Sequence, residues 1–379
     1  MDKVYLDSLK LHKKFKGKLG VTSKVPIKNK KDLSLAYTPG VAEVCRVIAK
    51  NKNLTSTYTL KRNTVAVVTD GSAILGLGNL GPEAAIPVME GKAILFKEFA
   101  GVDAFPICLD TQDTEEIIKT IKYLAPVFGG INLEDISAPR CFEIENRLKK
   151  ELSIPVLHDD QHGTATVVLA AMINALKLKK MNKSVTRVVI SGAGAAGTAV
   201  AKILVKYGFK NVFVCDSKGL LYEKRGDLSG VKLDLAKLTN PQVPTDSSLK
   251  GVLKKADVFI GISGPNIIGR AEVKSMNARP VVLALANPVP EIMPKEAKAG
   301  GAYIVASGRS DFPNQINNVL AFPGIFRGAL DNQVTEITDE MLIKAAENLA
   351  GYVKKISPDN ILPNPLDKGV VKVIAKAIK

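Results

Sequence analysis

Two adjacent carboxylates and two of the chain's three histidines lie within one short stretch, residues 157–164. The stretch follows an apolar run and precedes a long alanine-rich segment, a pattern typical of a buried strand that meets the start of a helix. Side chains at such a junction are held rigidly at the carboxyl edge of a sheet, where open α/β folds bind ligands. The sequence therefore predicts that this stretch supplies a metal ligand and joins two domains.

A second acidic pair, Glu134 and Asp135, ends a predicted strand at 128–136, as Asp159 and Asp160 end the next one. With a helix over 139–152 between them, a β–α–β unit would bring both pairs to neighbouring strand ends. Four carboxylates would repel one another there, and an all-oxygen ligand set favours Mg²⁺ or Mn²⁺ over zinc. The alternative is two unrelated pairs of helix-capping and surface acids.

Two further residue types could carry acid–base chemistry. Lys92 lies among apolar residues of a helix predicted over 82–101, where burial would lower its pKa toward that of a general base. The alternative is a lysine whose stem packs on apolar surface while its ammonium reaches water. Tyr37 precedes a Thr-Pro-Gly turn that opens another helix, and its alternative is an aromatic packed at a domain edge.

A glycine-rich turn follows the predicted strand that begins at Arg187 and opens a helix through Tyr207. The turn consists of Gly192, Ala193, Gly194, Ala195, Ala196 and Gly197. With a second strand at 211–215 that ends in Asp216, this order predicts dinucleotide binding, because the turn receives the pyrophosphate and the acid the ribose. Asp216 favours NAD, whereas Ser217 and Lys218 leave NADP open. Amides at Asn287 and near Asn317 could contact a substrate carboxylate or simply form turns.

The elements that must position these residues fit an α/β protein of two domains, as expected for 379 residues. We predict an N-terminal substrate and metal domain over 1–160. A doubly wound, Rossmann-type nucleotide domain with a C-terminal helical segment would follow over 161–379. The net charge of +16 comes from scattered lysines, which does not indicate nucleic acid. Apolar runs are too short to span a membrane, no leader is evident, and the four cysteines are widely spaced, so we expect a cytoplasmic protein with reduced thiols.

Taken together, the motifs resemble those of the short bacterial malic enzymes. They run in order along nearly the whole chain: residues 37–40 (YTPG), 68–71 (VTDG), 91–93 (GKA), 132–135 (NLED), 158–164 (HDDQHGT), 192–197 (GAGAAG), 286–288 (ANP), 317–318 (NN) and 322–324 (FPG). The resemblance implies oxidative decarboxylation of (S)-malate to pyruvate and CO₂, with NAD⁺ or NADP⁺ and a divalent metal, Mg²⁺ or Mn²⁺.

The resemblance also implies roles for individual residues. Tyr37 would be the general acid and Lys92 the general base; Glu134, Asp135 and Asp160 would bind the metal, and Lys92, Asn287 and Asn318 would contact malate. That reassigns Asp159, His158 and His162 to orienting Asp160. A homodimer is implied, and an arrangement in which the first 35 residues cross so that Tyr37 serves a neighbouring site stays open. The chain lacks a segment in which longer relatives carry an arginine that binds the substrate carboxylate. Which residue binds that carboxylate in this chain stays open. An oxaloacetate decarboxylase and a non-catalytic nucleotide-binding module are the rival functions.

Overall fold

The computed structural model describes residues 3–239 and 242–379, which form two β-sheets flanked by helices. The first sheet contains the strands β1 (Thr64–Thr69), β2 (Asp103–Cys108), β3 (Gly130–Leu133) and β4 (Val156–His158). The second contains β5 (Arg187–Ser191), β6 (Asn211–Asp216), β7 (Gly219–Leu220), β8 (Val258–Gly261), β9 (Val281–Ala284) and β10 (Ile304–Ser307). Strands alternate with helices along most of the chain, so the expected α/β fold is confirmed.

Helices precede, connect and follow these strands. They are α1 (Lys3–Phe15), α2 (Lys30–Ala36), α3 (Val41–Lys50), α4 (Thr55–Tyr58), α5 (Pro82–Ala100), α6 (Thr114–Leu124), α7 (Arg140–Glu151), α8 (Asp159–Lys179), α9 (Ala195–Tyr207), α10 (Gly230–Thr239), α11 (Leu249–Leu253), α12 (Arg270–Ser275), α13 (Pro294–Ala299), α14 (Phe322–Asn332), α15 (Asp339–Tyr352) and α16 (Gly369–Ala375). None of the residues in α1–α4 is buried, so this N-terminal arm lies on the surface of the chain.

The first sheet has the order β2-β1-β3-β4 and all its pairs are parallel. Every residue of β1 is buried, as its run of valine and alanine predicts for a central parallel strand. Because the strands are parallel, the carboxyl ends of β1, β3 and β4 meet at one edge. The predicted acidic residues therefore come together at that edge.

The second sheet has the order β10-β9-β8-β5-β6-β7, and only the short β7 pairs antiparallel. The strand order reverses at β5, which has β6 on one side and β8 on the other. Such a reversal opens a crevice at the carboxyl ends of the strands, where nucleotides bind in doubly wound folds. The glycine-rich turn lies at this crevice.

Helix α8 connects the two sheets through a shared core. Fifteen of its residues are buried, and the ten apolar ones among them belong to the same cluster as Val65 of the first sheet and Val188 of the second. Helix α14 also reaches the N-terminal part, where Phe322 packs edge to face on Phe96 with ring centroids 4.8 Å apart. Helix α8 begins at Asp159, inside the predicted strand-to-helix junction of residues 157–164. The predicted division between residues 160 and 161 thus falls in the first turn of a continuous helix, and it stays a prediction.

Two observations bear on the surroundings in which the chain works. Across residues 3–239 and 242–379, the helices are too short or too polar to cross a lipid bilayer. Cys45, Cys108, Cys141 and Cys215 all carry free thiols.

Candidate active site

Three carboxylates converge at the carboxyl edge of the first sheet. Glu134 and Asp135 directly follow β3, and Asp160 lies in the first turn of α8. One oxygen from each of the three lies within 4.8 Å of the others, and Glu134 and Asp135 are buried. Burial raises the pKa values of all three, that of Asp135 to about 9, and repulsion from a neighbouring carboxylate adds to each shift: Asp160 acts on Glu134 and Asp135, and Asp159 acts on Asp160. A cation would relieve this repulsion.

The backbone fixes the geometry of this acidic group. Asp135 has φ +52°, a left-handed conformation that few non-glycine residues adopt. Its N–H donates to Asp160 at 2.9 Å, and its carbonyl accepts from Ala73 N–H at 2.9 Å. An oxygen of the Asp135 side chain is buried without a hydrogen-bond partner among the described residues. Three oxygens aimed together, one of them unpaired, fit a divalent ion such as Mg²⁺ or Mn²⁺.

Lys92 projects from α5 into the same group and is only 7% exposed. Its ammonium lies 2.7 Å from Asp159 and 2.9 Å from Glu134, and 4.3 Å from the centre of the Phe322 ring. Burial by itself would lower the pKa of Lys92, but Asp159, Glu134 and Asp160 together raise it above its ordinary value. The expected lowering of the Lys92 pKa is therefore wrong for these protein groups, because the carboxylates outweigh the apolar surroundings.

The two histidines do not orient Asp160 as expected. The Nδ1 of His158 lies 3.8 Å from Asp160, too far for a hydrogen bond, and the His162 ring is hydrogen-bonded to Glu145 at 3.0 Å. Glu145 is 2% exposed and also accepts from His158 N–H at 3.0 Å and from Gln161 at 3.1 Å. Sequence reasoning missed Glu145, since nothing in its helical context distinguishes it from a surface acid. Asp159 pairs with Lys92 rather than with Asp160.

A cavity of about 870 Å³ opens over these groups; we call it the acidic cavity. Its lining includes Lys92, the three converging carboxylates and both predicted amides, Asn287 after β9 and Asn318 before α14. Gly194, Ala195 and Ala196 of the glycine-rich turn line it as well. Residues predicted for substrate, metal and nucleotide thus share one cavity.

An adjoining cavity of about 900 Å³, the glycine-turn cavity, is lined by Gly192, Ala193, Gly194 and Asp216. Each glycine of the turn meets a different structural requirement. Gly192 has φ +120°, a side chain on Gly197 would collide with the Gly192 carbonyl, and a Cβ on Gly194 would face open space. The bare backbone at Gly194, just before the first residue of α9, leaves room for a pyrophosphate at a helix N-terminus.

Asp216 occupies the expected position at the end of β6 but already has several donors. Arg225 donates to both its oxygens at 2.9 and 2.7 Å, Lys232 donates at 2.7 Å, and Lys218 N–H at 2.9 Å. Burial opposes ionisation, yet these hydrogen bonds lower the pKa of Asp216 to about 2. Asp216 therefore does not exclude a 2′-phosphate, because two cations accompany the carboxylate.

Of the predicted site residues, Tyr37 and Gly197 line neither cavity; Gly197 lies within the glycine-rich turn, whereas Tyr37 is remote from it. Tyr37 follows α2 on the N-terminal arm, is 64% exposed, and is absent from the linings of both cavities.

A Rossmann-type domain and a domain with converging carboxylates and a buried lysine, joined at one cavity, define a two-domain nicotinamide-dependent oxidoreductase. The model of the malic enzyme N-terminal domain matches residues 16–149, and that of the malic enzyme NAD-binding domain matches residues 161–377. The chain belongs to the malic enzyme family.

Individual relatives agree with this assignment. The bifunctional malic/malolactic enzyme of Bacillus subtilis strain 168 is 56% identical over 375 residues, which cover 98% of this chain and 91% of that protein. The NAD-dependent malic enzyme of Geobacillus stearothermophilus is 54% identical and covers 96% of this chain and 76% of its own length. The crystal structure of the Thermotoga maritima NAD-dependent malic enzyme superposes with a TM-score of 0.95 at 50% identity, covering 98% of this chain and 99% of that one. The family expected from the sequence is confirmed, as is its class of enzyme.

Proposed function

We propose that this chain oxidises (S)-malate and decarboxylates it to pyruvate and CO₂ while a nicotinamide dinucleotide is reduced. The observation that carries the proposal is the acidic cavity itself, where Lys92, the acidic group, two amides and the glycine-rich turn meet. A simple hydroxy-acid dehydrogenase does not need the three converging protein carboxylates. Loss of CO₂, in contrast, requires that negative charge be stabilised on the remaining fragment, which a metal bound by these carboxylates would do.

The charged and amide residues of the acidic cavity each have a role in this reaction. A divalent ion, Mg²⁺ or Mn²⁺, bound by Glu134, Asp135 and Asp160 would polarise the substrate oxygens and offset the carboxylates around Lys92. With the surrounding carboxylates offset in this way, Lys92 would be a neutral amine and would take the proton of the C2 hydroxyl as the hydride leaves C2 for the nicotinamide. Asp159, whose oxygen lies 2.7 Å away, would then hold the resulting ammonium in place. Asn287 and Asn318 donate amide hydrogens to malate.

Tyr37 returns a proton to C3 after CO₂ has left, and we propose that it does so in a neighbouring subunit of a homodimer. Exposed apolar side chains along the N-terminal arm support this arrangement, since a surface of this kind is usually covered by a partner. They include Val4, Leu9, Phe15, Leu33 and Leu35, each at least 46% exposed. Tyr37 lies on the same arm, outside the cavities of its own chain.

For the coenzyme, we propose NAD⁺ as the favoured substrate with NADP⁺ also accepted. Asp216 supports NAD⁺, because a carboxylate at this place accepts hydrogen bonds from ribose hydroxyls. Lys232 also lines the glycine-turn cavity and would attract a 2′-phosphate. The free cysteines agree with a cytoplasmic location, where thiols stay reduced.

Initial rates with malate and Mn²⁺, measured side by side with NAD⁺ and NADP⁺, test the proposal. Reduction of either nucleotide with stoichiometric pyruvate supports it. Loss of oxaloacetate without nucleotide, and no nucleotide reduction with malate, would instead indicate the oxaloacetate decarboxylase. No turnover under any of these conditions would indicate a nucleotide-binding module.

A further inference from the structure

The chain that follows α1 is fastened to the outer side of α5 at Gly17 and Lys18. Gly17 has φ +105°, and a Cβ there would lie 2.8 Å from Glu90 Oε1, so only glycine fits without displacement. The N–H of Lys18 donates to the other Glu90 oxygen at 3.2 Å. This backbone clamp determines where the Lys18 side chain begins.

From that point the Lys18 side chain reaches along α5 into the acidic cavity. Its Nζ donates to the carbonyl of Pro87 at 2.6 Å, and Lys18, Pro87, Gly91 and Lys92 all line the cavity. A Cβ on Gly91 would lie 3.7 Å from this Nζ, at van der Waals contact, so the ammonium lies directly beside Gly91. Pro87 and Gly91 are one helical turn apart, which places the Lys18 ammonium over the turn that carries Lys92.

Lys18 differs from the other basic side chains of the cavity lining in what its nitrogen is paired with. Lys92 is paired with Asp159 and Glu134; the Nδ1 of His12 is hydrogen-bonded to the Ser8 carbonyl at 2.8 Å, while its Nε2 is buried without a partner among the described residues. Lys18 has a carbonyl as the partner of its ammonium and makes no ion pair within 4.0 Å in residues 3–239 and 242–379. Burial lowers the pKa of Lys18, and Glu90 opposes this shift. The ammonium is therefore partly desolvated without a carboxylate partner.

We propose that the Lys18 ammonium binds one carboxylate group of the dicarboxylate substrate. This inference rests on the proposed function, which places malate in the acidic cavity. Malate carries two carboxylates, and a cavity already crowded with Glu134, Asp135 and Asp160 needs a cation for each substrate carboxylate that the metal does not bind. An ammonium that gains a carboxylate partner in a partly desolvated place makes a strong, charge-assisted hydrogen bond.

The first test is steady-state kinetics on Lys18→Met, Lys18→Gln and Lys18→Arg in the full-length protein. We expect Lys18→Met and Lys18→Gln to raise the KM for malate about 10- to 100-fold, the usual loss for a hydrogen bond to a charged group. The KM for the coenzyme should stay within about twofold, and Lys18→Arg should recover most of the loss because the charge is kept. Lys24→Gln is the matched control, since Lys24 lies on the same arm but pairs with Asp103 outside the cavity.

The second test is malate binding by calorimetry with Mn²⁺ and reduced coenzyme, which does not depend on turnover. Weaker malate binding by Lys18→Met, restored in Lys18→Ala by added ethylammonium, supports the proposal. Unchanged malate affinity in Lys18→Met overturns it. An equal loss of malate and coenzyme affinity together with a lowered Tm also overturns it, since Lys18 would then only fasten the arm. If wild-type protein binds malate but does not oxidise it, the proposed function fails while the role of Lys18 is still decided by binding.

Discussion

The Lys92 ammonium lies 2.7 Å from an oxygen of Asp159, and both side chains are buried next to the acidic group. The pair links α5 to the first turn of α8, the helix whose other end lies in the core of the nucleotide domain. The base and one wall of the metal site are thus fixed to the helix that joins the two domains. A substitution in this pair should therefore lower the rate of malate oxidation more than it weakens nucleotide binding.

We expect Lys92→Ala to abolish malate oxidation while the protein still binds NAD⁺. The substitution removes the only proposed base and leaves Asp159 and Glu134 buried without their cation, which typically costs about 3–5 kcal/mol of folding free energy. Stopped-flow hydride transfer and NAD⁺ binding are the measurements, with Tm as a check on folding. Lys97→Ala, an exposed lysine on the same helix, should behave as wild type. Malate oxidation at the wild-type rate in Lys92→Ala would remove Lys92 from the role of base.

Local patterns predict the elements well where they depend on nearby residues. The helix predicted over 82–101 is observed as α5, Pro82–Ala100, because Pro82 fits the first turn and Gly101 ends the helix in a left-handed conformation. The strand predicted over 128–136 shrinks to Gly130–Leu133, because Asp135 turns the chain with a positive φ that no periodicity reveals. Helix α8 begins at Asp159, because the two acidic residues of its first turn interact favourably with the positive end of the helix dipole.

The spacing of residues in the sequence does not predict which side chains distant in the chain form ion pairs or hydrogen bonds. Lys92 and Asp159 are 67 residues apart, so their ion pair depends on how α5 and α8 pack. Glu145 is likewise defined only by the turn that it meets. The YTPG motif marks Tyr37 as important but carries no information on which subunit's cavity it enters. Motif reading therefore predicted most of the residues that meet at the acidic cavity, and tertiary packing determined how they are paired.

Mixing two inactive variants tests whether Tyr37 serves a neighbouring subunit. In a homodimer with shared sites, a Tyr37→Phe chain paired with a Lys92→Ala chain restores one complete site out of two. After unfolding and refolding of an equal mixture, we expect about a quarter of wild-type activity, since half of the dimers are mixed. Size-exclusion chromatography with light scattering gives the oligomeric state. Recovery of no activity from mixtures shown to contain mixed dimers would mean that Tyr37 acts within its own chain.

The acidic group makes the effect of metal on stability depend on pH. Asp135 has its pKa raised to about 9, so the folded protein without metal holds a proton that the unfolded chain has lost. Stability in EDTA should therefore fall as the pH rises from about 4 toward 9. Mn²⁺ binds the ionised carboxylates and releases that proton, so it should raise the Tm more at about pH 8.5 than at about pH 5.5.

Differential scanning fluorimetry with EDTA or Mn²⁺ at both pH values measures this difference. Asp160→Asn should reduce the Mn²⁺-dependent rise in Tm and increase the Mn²⁺ concentration needed for activity. A rise in Tm that is equal at both pH values, or an unchanged Mn²⁺ titration in Asp160→Asn, would contradict the assignment of these carboxylates to a metal.

Lys232 should set how well the enzyme uses NADP⁺. Its ammonium lies 2.7 Å from Asp216, is partly exposed, and lines the glycine-turn cavity, so it can turn from the carboxylate to a 2′-phosphate. We expect Lys232→Gln to lower kcat/KM for NADP⁺ about three- to tenfold. This is less than the usual loss of a hydrogen bond to a charged group, because the Lys232 side chain is partly exposed to solvent. The value for NAD⁺ should change less than about twofold. Lys237→Gln on the same helix is the control, and equal effects on both coenzymes would rule out a phosphate contact.

Glu145 should hold the metal site in shape without touching substrate. It is buried in contact with Lys149 and His162, and it accepts from the backbone of His158 beside the Asp159–Asp160 pair. Glu145→Ala removes all these bonds and leaves the Lys149 ammonium and the His158 N–H without this acceptor, so we expect a loss of about 3–5 kcal/mol in unfolding free energy and a higher Mn²⁺ requirement. Glu145→Gln keeps an acceptor for His158 N–H and should fall between Glu145→Ala and wild type in both properties.

Urea unfolding and Mn²⁺ activation curves, run on the same preparations, measure these two effects of Glu145. Glu143→Gln is the matched control, because Glu143 lies on the same helix but is exposed and, within residues 3–239 and 242–379, forms an ion pair only with Arg147. If Glu145 positions the turn that carries Asp160, the Mn²⁺ requirement of Glu145→Gln rises while its KM for the coenzyme stays near wild type. A variant that loses stability with an unchanged Mn²⁺ requirement would show that Glu145 supports the fold alone.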